Sequence, residues 1–357
     1  MMRPHEVLRE AWRNIQSGAA KAGWLSAALI LLVTLLSVAE ISTIAALDQR
    51  ARTYHDAGGS VRALKVEAGI DPQRCDALPT TTGILASGAV RTVAPIGITS
   101  LAGITTPTFE TTLGFQSILG LEPTLDSGVL ISEPLSKRWQ IHAGDTLETD
   151  QGPMPVAAIF PYPEDDGRDT RLANAVLIPT LGQGTFDECW ADVWPSTAAF
   201  DPLIRASQAT STGEAAASIA TLNPTLGQVF TGADEYQDRI TRFTPAAAAA
   251  IGLAIGFVGG APRRLEYASS LHAGVSARHL SLITLVEATV WAGISALVAT
   301  AGAAFIARFG TPWVAEALYG HLLVMGGAGA IGAITGSLLV AASSREARLF
   351  KYFKERS

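Results

Sequence analysis

The sequence predicts an integral membrane protein with four transmembrane α-helices and a mixed α+β extracytoplasmic domain between helices 1 and 2. Three observations lead there. Only 16% of the 357 residues are charged and mean hydropathy is +0.28, whereas an average soluble domain is about 25% charged. Four stretches approach the ~20 apolar residues that cross a bilayer. Between the first and second of them lie roughly 190 residues without such a run, room for one substantial domain.

The first stretch, "WLSAALILLVTLLSVAEISTIAAL", runs from Trp24 to Leu47. Basic residues precede it, as in a secretory signal, but its apolar run exceeds the 7–15 residues of a signal core and no small-x-small cleavage site follows promptly. A retained helix is the expectation. The second, Phe243 to Ala261, is so rich in alanine that composition alone also fits a buried soluble helix. The third runs from Leu280 to Ala307 and the fourth from His321 to Ser343. The expected divisions are residues 1–22, helix 23–47, domain 48–240, helix 241–262, a charged segment 263–280, helix 281–308, a short loop 309–320, helix 321–343 and a basic tail 344–357.

Arginine and lysine near the helix ends set the expected orientation. Arg3, Arg9, Arg13 and Lys21 precede the first helix, Arg263, Arg264 and Arg278 separate the second and third, and Arg345, Arg348, Lys351, Lys354 and Arg356 follow the fourth. The link between the third and fourth offers only Arg308. The three basic sites share one side, which the bias assigns to the cytoplasm of a multi-pass protein of the cell membrane. Both termini are then cytoplasmic and the domain is outside.

That domain carries about twice as many acidic as basic residues and accounts for the net charge of −6. Such a surface argues against nucleic acid and is compatible with cationic peptides or plain solvation. Cys75 and Cys189, the only two cysteines, both lie there. Outside the membrane an even pair reads as one disulfide, the alternative being two buried free thiols.

Within the domain, Leu64, Val66 and Ala68 alternate as in a half-buried strand. Asp71 and Pro72 read as the cap and first residue of a short helix. "VRTVAPIGI" and "GVLISEPL" read as strands, with Ser132 placed to cap a short helix through Trp139. "GDTLETDQGPMPVAAIF" reads as a hairpin turning at Asp150-Gln151-Gly152. "NAVLIPT" and "CWADVWP" read as central strands, "TGEAAASIATLN" as a helix, and "TGADEYQDRITRF" as a helix running unbroken into the second membrane segment. No catalytic or metal constellation emerges. The acids of "PEDDGRDTR" (Glu164, Asp165, Asp166 and Asp169) lack the spacing of a calcium loop and read as a solvated turn. Ser132 has no nucleophile elbow around it, and no H-E-x-x-H occurs.

Two acids interrupt the apolar runs, Glu40 and Glu287. Acids in lipid suggest function by default, but both lie near helix ends, so snorkelling to water is the slightly preferred reading for Glu40. A proton relay would need mid-membrane partners, and the sequence shows none. Ala328, Gly332 and Gly336 form a small-xxx-small ladder, suited to close helix packing within the chain or at a subunit interface.

"RRLEYASSLHAGVSARHLSLITLVEATVWAGISALVATAGAAF" interrupts two apolar runs with charge and resembles the signature of FtsX-like and MacB-like ABC transporter permeases. Glu266 matches the early acid of that signature, Ala273-Gly274-Val275-Ser276 its glycine turn, Arg278 and His279 its basic positions, and Glu287 its helix acid. "HEVLREAWRNIQSGAAKAGWLSAALILLVTLLSVA" is similar to the amphipathic lead-in and first helix of the family. "GVLISEPLSKRWQIHAGDTLET" is similar to a stretch of MacB-like outer domains. The order of helix, domain and three helices matches, and it favours a membrane role for the alanine-rich second segment. The domain is shorter than in the macrolide-exporter branch and longer than in the division-protein branch, and His272 stands where a basic or apolar residue is usual.

The resemblance implies a non-enzymatic permease subunit that holds no cofactor, with ATP and Mg bound by a separate ABC ATPase. The chain contains no G-x-x-x-x-G-K-[ST] phosphate loop. The family expectation is a short helix from about Ser270 to Leu280 seated in a groove of the ATPase, anchored by Leu271, Val275 and Leu280, with Arg278 and His279 facing the groove. Two permease copies, a homodimer in the simplest case, would pair in membrane lipid, with an extracytoplasmic adaptor or substrate peptide as a further partner. The work implied is export or extraction of a peptide, antibiotic, haem-like or lipid-linked substrate. The alternative is signal transduction to a cell-wall hydrolase or sensor kinase, and a third reading is a membrane-anchored interaction protein with no ATPase.

Overall fold

Pro4, whose ring presets a helical φ where no N–H is needed, opens the first helix, α1 (Pro4–Gln16). Val7 and Ala11 on one face of α1 are buried, and Leu8 and Trp12 on the other are exposed. A turn at Gly18, with φ +77°, leads into α2 (Ala22–Asp56). A run dominated by leucine, alanine and isoleucine carries α2 to Leu47, and polar residues continue it to Asp56, 35 residues in all or about 52 Å at 1.5 Å per residue. These and the following elements come from a computed structural model that describes residues 3–99, 105–124, 128–209, 217–310, 312 and 315–348. By internal contacts the chain divides into two units, Gln49–Ala233 and the pair Met1–Asp48 with Asp234–Ser357.

Unit Gln49–Ala233 is built on a mixed nine-stranded sheet. Its elements in chain order are β1 (Val61–Ile70), α3 (Pro72–Asp76), β2 (Ile84–Gly97), β3 (Thr105–Thr111), α4 (Leu113–Ile118), β4 (Val129–Ser132), α5 (Glu133–Trp139), β5 (Thr146–Thr149), β6 (Gly152–Phe160), β7 (Val176–Pro179), β8 (Phe186–Val193), α6 (Asp201–Arg205) and β9 (Ser218–Thr221). The strand order is β5-β6-β4-β7-β3-β2-β8-β1-β9. β3 with β7 and β4 with β6 pair in parallel, and the other neighbours pair antiparallel.

Burial shows why β1 departs from the half-buried strand expected. Residues Val61 to Leu64 are all buried, Ala63 in a core with Phe115 and Trp190, Leu64 in another with Cys75 and Cys189. A strand covered on both faces loses its alternation. Ala68 is exposed with φ +44°, at the bulge where the pairing with β8 slips between Lys65 and Ile70. Asp71 caps α3 by accepting from the Gln73 and Arg74 amides, both at 3.1 Å. Cys75 on α3 is bonded to Cys189 on β8, closing a loop 114 residues apart in sequence. The β5–β6 hairpin turns at the expected residues, with Gly152 at φ +109°.

Two expectations for this unit are corrected. Residues 218–221 form strand β9 at the sheet edge beside β1 rather than a helix. The alanines that suggested a helix begin at residue 215, and residues 210–216 lie outside the described residues. Ser132 stands at the cap of α5 but caps nothing with its side chain, because its hydroxyl donates to the Ala173 carbonyl at 2.7 Å.

The other unit holds α7 (Gly232–Asp238), α8 (Thr244–Gly260), α9 (Arg264–His272), α10 (Ala277–Gly310) and α11 (Ala315–Ser343), besides α1 and most of α2. Four of its helical stretches are long and apolar enough to cross a membrane. The expected loop 309–320 is largely helix, since α10 runs to Gly310 and α11 begins at Ala315. The expected unbroken entry to the second membrane segment is corrected too. α7 stops at Asp238, Arg239 is extended (φ −59°, ψ 133°), and a 3₁₀ turn over Ile240–Phe243 precedes α8.

α8 and α11 meet backbone to backbone. A Cβ built on Gly252 would lie 2.0 Å from the Gly329 carbonyl oxygen, and one on Gly332 2.0 Å from that of Ala249. Gly256 against Ala333 and Gly336 against Leu253 repeat the contact one turn on. Small residues are what lets helices approach this closely where the surroundings are as apolar as the helices. Gly332 and Gly336 of the sequence ladder belong to this contact within the chain, whereas Ala328 is only half-buried. Leu29 and Val33 of α2 pack with Ala248, Trp291 and Ala333 in the same core.

Candidate functional site

The charged interruption between the second and third apolar helices is a helix stop followed by a helix start. At the end of α9 the Gly274 amide donates to the Leu271 carbonyl at 3.0 Å and the Val275 amide to that of Ser270 at 3.1 Å. This pair of bonds is the Schellman arrangement, which needs a left-handed residue at its centre. Gly274 supplies it at φ +90°. Two residues on, Ser276 caps α10, its hydroxyl accepting from the His279 amide at 3.4 Å and meeting His279 Nδ1 at 2.6 Å. The single short helix expected over Ser270–Leu280 is therefore corrected to the end of α9, a four-residue turn and the start of α10.

The turn also sorts the residues expected to grip a partner. Leu280 is buried and Leu271 half-buried, packed with Tyr267, Val340 and Ala341, so both hold the turn onto the bundle instead of projecting from it. His272, Ala273, Gly274, Ser276 and Arg278 are exposed, and Val275 and His279 are half-buried. Arg278 forms no ion pair among the described residues. Glu266 is exposed and meets Arg263 Nε at 3.3 Å. His272 Nδ1 lies 2.7 Å from Glu346, which ties the turn to the 3₁₀ segment Glu346–Arg348 after α11. Lys351, Lys354 and Arg356 of the basic tail lie outside the described residues.

Beneath the turn a buried ion pair fixes its base. Glu287 is 2% exposed, with one carboxylate oxygen 2.5 Å from Arg263 Nη1 and the other accepting from Asn14 Nδ2 at 2.6 Å. The cluster joins α1, the segment before α9, and α10. Glu40 is 0% exposed; its Oε1 accepts from Arg239 Nη2 at 2.9 Å and lies 3.3 Å from His321 Nε2, while its Oε2 has no partner. Neither acid snorkels. An isolated buried carboxylate costs several kcal/mol, and a hydrogen-bonded cation beside it offsets that cost. The break at Arg239, which sequence reasoning misses, brings its guanidinium to Glu40. Arginine beside an apolar run is the sequence signal for these partners, but the same signal reads equally well as an orientation bias.

The sheet unit has its own charge network. Arg171 meets Glu188 at 2.7 Å and Asp169 at 2.8 Å, with Lys65 3.5 Å from Asp169. Burial pushes the Asp169 carboxyl up, but the Arg171 amide and guanidinium more than offset this and hold it below its usual range. Asp76 goes the other way, raised by burial despite accepting from the Thr112 hydroxyl and the Gly114 amide. The acidic turn "PEDDGRDTR" is thus partly internally paired, Asp166 with Arg168 and Asp169 with Arg171. Among the described residues no three His, Cys, Asp or Glu side chains group as metal ligands would. The comparison with protein-family models finds no match for the chain, and the comparison with curated proteins finds none either.

Proposed function

We propose that the chain is the permease subunit of an ATP-driven ABC transporter of the FtsX-like and MacB-like kind, carrying the motion of a separate ATPase to its sheet domain. The observation that carries this reading is the exposed turn Ala273–Ser276 with Arg278 beside it. It joins two helical stretches long enough to cross a membrane and is locked at its base by the Arg263–Glu287–Asn14 cluster. A solvated connector needs neither a rigid stop-and-start geometry nor a buried ion pair under it. A protruding turn on a rigid base is what a partner's groove can push.

In this reading the turn faces the cytoplasm, the sheet unit faces outward, and a second permease copy completes the membrane part. ATP and Mg belong to the partner. Closure of the ATPases biases a two-state dimer, and the sheet domains respond by moving a peptide, antibiotic, haem-like or lipid-linked substrate. The same lever could instead switch a cell-wall hydrolase or sensor kinase, and ATPase stimulation by substrate or by a protein partner separates the two.

Purification of the tagged chain with its nucleotide-binding proteins, in wild type, Arg278→Glu and Gly274→Pro, tests the reading. The expected result is a stoichiometric ATPase with wild type that is lost in both variants. An ATPase retained equally by both, or missing from wild type, refutes it. Proline cannot adopt the φ of +90° that Gly274 holds, so the second variant alters the turn without touching its charge.

A further inference from the structure

Beyond the apolar run that ends at Leu47, α2 continues into the sheet unit and stops at Asp56. Its last turn closes where the Gly58 amide donates to the His55 carbonyl and the Gly59 amide to that of Tyr54, both at 2.9 Å. The His55 ring faces β8. Its Nε2 lies 3.0 Å from Asp192 Oδ2, and it meets Trp194 edge-on with ring centroids 5.9 Å apart. Asp192 is 8% exposed, its Oδ1 has no partner, and it pairs with no lysine or arginine among the described residues. A carboxylate so placed is costly without a counter-charge. Only a protonated His55 supplies one.

The surroundings favour that proton. The hydrogen bond to Asp192 lifts the imidazole pKa above its ordinary 6.5, outweighing the opposite effect of burial, and the Asp192 and Asp56 charges add to the lift. Asp56 Oδ1 lies 3.8 Å from His55 Nδ1. A helix C-terminus favours a cation as well. The cation on this side, Arg168, donates to the Asp56 carbonyl at 2.7 Å and is itself neutralised by Asp166. The His55 side chain is 39% exposed, so its proton exchanges with solvent without any opening of the fold.

We infer that His55 and Asp192 form a pH-sensitive latch, which fastens the last turn of α2 to β8 while the imidazole is protonated and lets that turn open more readily once it is neutral. A neutral imidazole still donates to Asp192, but a charged hydrogen bond is roughly twice as strong. A pKa raised by folding contributes stability that is fully present below the unfolded value of 6.5 and is lost as pH rises through the folded value. The latch therefore loosens in the alkaline direction. It lies within the sheet unit and needs neither an ATPase nor a second copy.

Two measurements on the full-length chain in detergent micelles test it. Histidine-selective carbon NMR, assigned with His55→Gln, is expected to give His55 a titration midpoint above 6.5. Hydrogen–deuterium exchange of the segment from Tyr54 to Gly59, corrected for intrinsic exchange and referenced to β3, is expected to show more frequent opening at about pH 8.5 than at about pH 6. The increase should approach about tenfold for each pH unit by which the midpoint exceeds the unfolded value. His55→Gln keeps a neutral donor and should flatten the pH dependence, and Asp192→Asn should return the midpoint toward 6.5. Should either variant fail to fold, the other decides together with the wild-type titration. A midpoint at or below 6.5, opening that does not change with pH, an unchanged pH dependence in His55→Gln or an unmoved midpoint in Asp192→Asn overturns the inference.

Discussion

Replacing Gly252 by alanine tests whether the α8–α11 contact holds the unit of apolar helices together. The added Cβ would sit 2.0 Å from the Gly329 carbonyl oxygen, where contacts under 3.0 Å are essentially never seen. The obstacle is backbone and cannot rotate away, so the helices must part by about 1 Å or more, and overpacking of this kind costs about 1–3 kcal/mol. Alanine's better helix propensity returns about 1 kcal/mol, leaving a net loss of up to about 2 kcal/mol. Gly302 on α10 is the control, since a Cβ added there would have nothing within 4 Å. At that position propensity acts alone and alanine gains up to about 1 kcal/mol. The propensity gain is common to both, so the two variants should differ by the overpacking cost, about 1–3 kcal/mol, in unfolding titrations with sodium dodecyl sulfate in mixed micelles, followed by far-UV circular dichroism. Equal stability of Gly252→Ala and Gly302→Ala would refute the close contact.

Arg239→Ala strands Glu40 with His321 alone and should cost about 3–5 kcal/mol in the same titration, with Glu40→Gln/Arg239→Met recovering most of it. Cys75→Ser/Cys189→Ser opens a loop of more than a hundred residues and should lower stability by about 4–5 kcal/mol on the chain-entropy account, read as the thermal midpoint of near-UV circular dichroism. Asp76, raised by burial, contributes stability that is fully present below its unfolded value of 3.8 and is lost as pH rises through its folded value. Asp76→Asn should flatten that part of the pH dependence of the same midpoint. Asp169, held low, contributes stability that is present above 3.8 and lost as pH falls through its folded value, so Asp169→Asn should reduce the acid-side slope.

Composition and order alone determined that this chain has four apolar helices with a sheet domain after the first. Twenty apolar residues in a row have few other places to go, and the strands around Ile131, Val176 and Cys189 announce themselves by β-branched and aromatic residues between turns. Asp71-Pro72 and the β5–β6 turn are legible because caps and turns depend on a residue's own backbone preference. What only the tertiary structure decided were pairings across the chain. Glu40 looks free to reach water until Arg239 leaves its helix to meet it, and Glu287 until Arg263 and Asn14 close over it. The segment Ser218–Thr221 reads as helix by its alanine-rich setting and becomes a strand because β1 offers an open edge. Leu271 and Leu280 look like anchors for a partner until Tyr267 and Val340 are seen beneath them. A local pattern reports the free energy of a residue with its neighbours in sequence. Burial of charge and the filling of sheet edges are settled by neighbours in space.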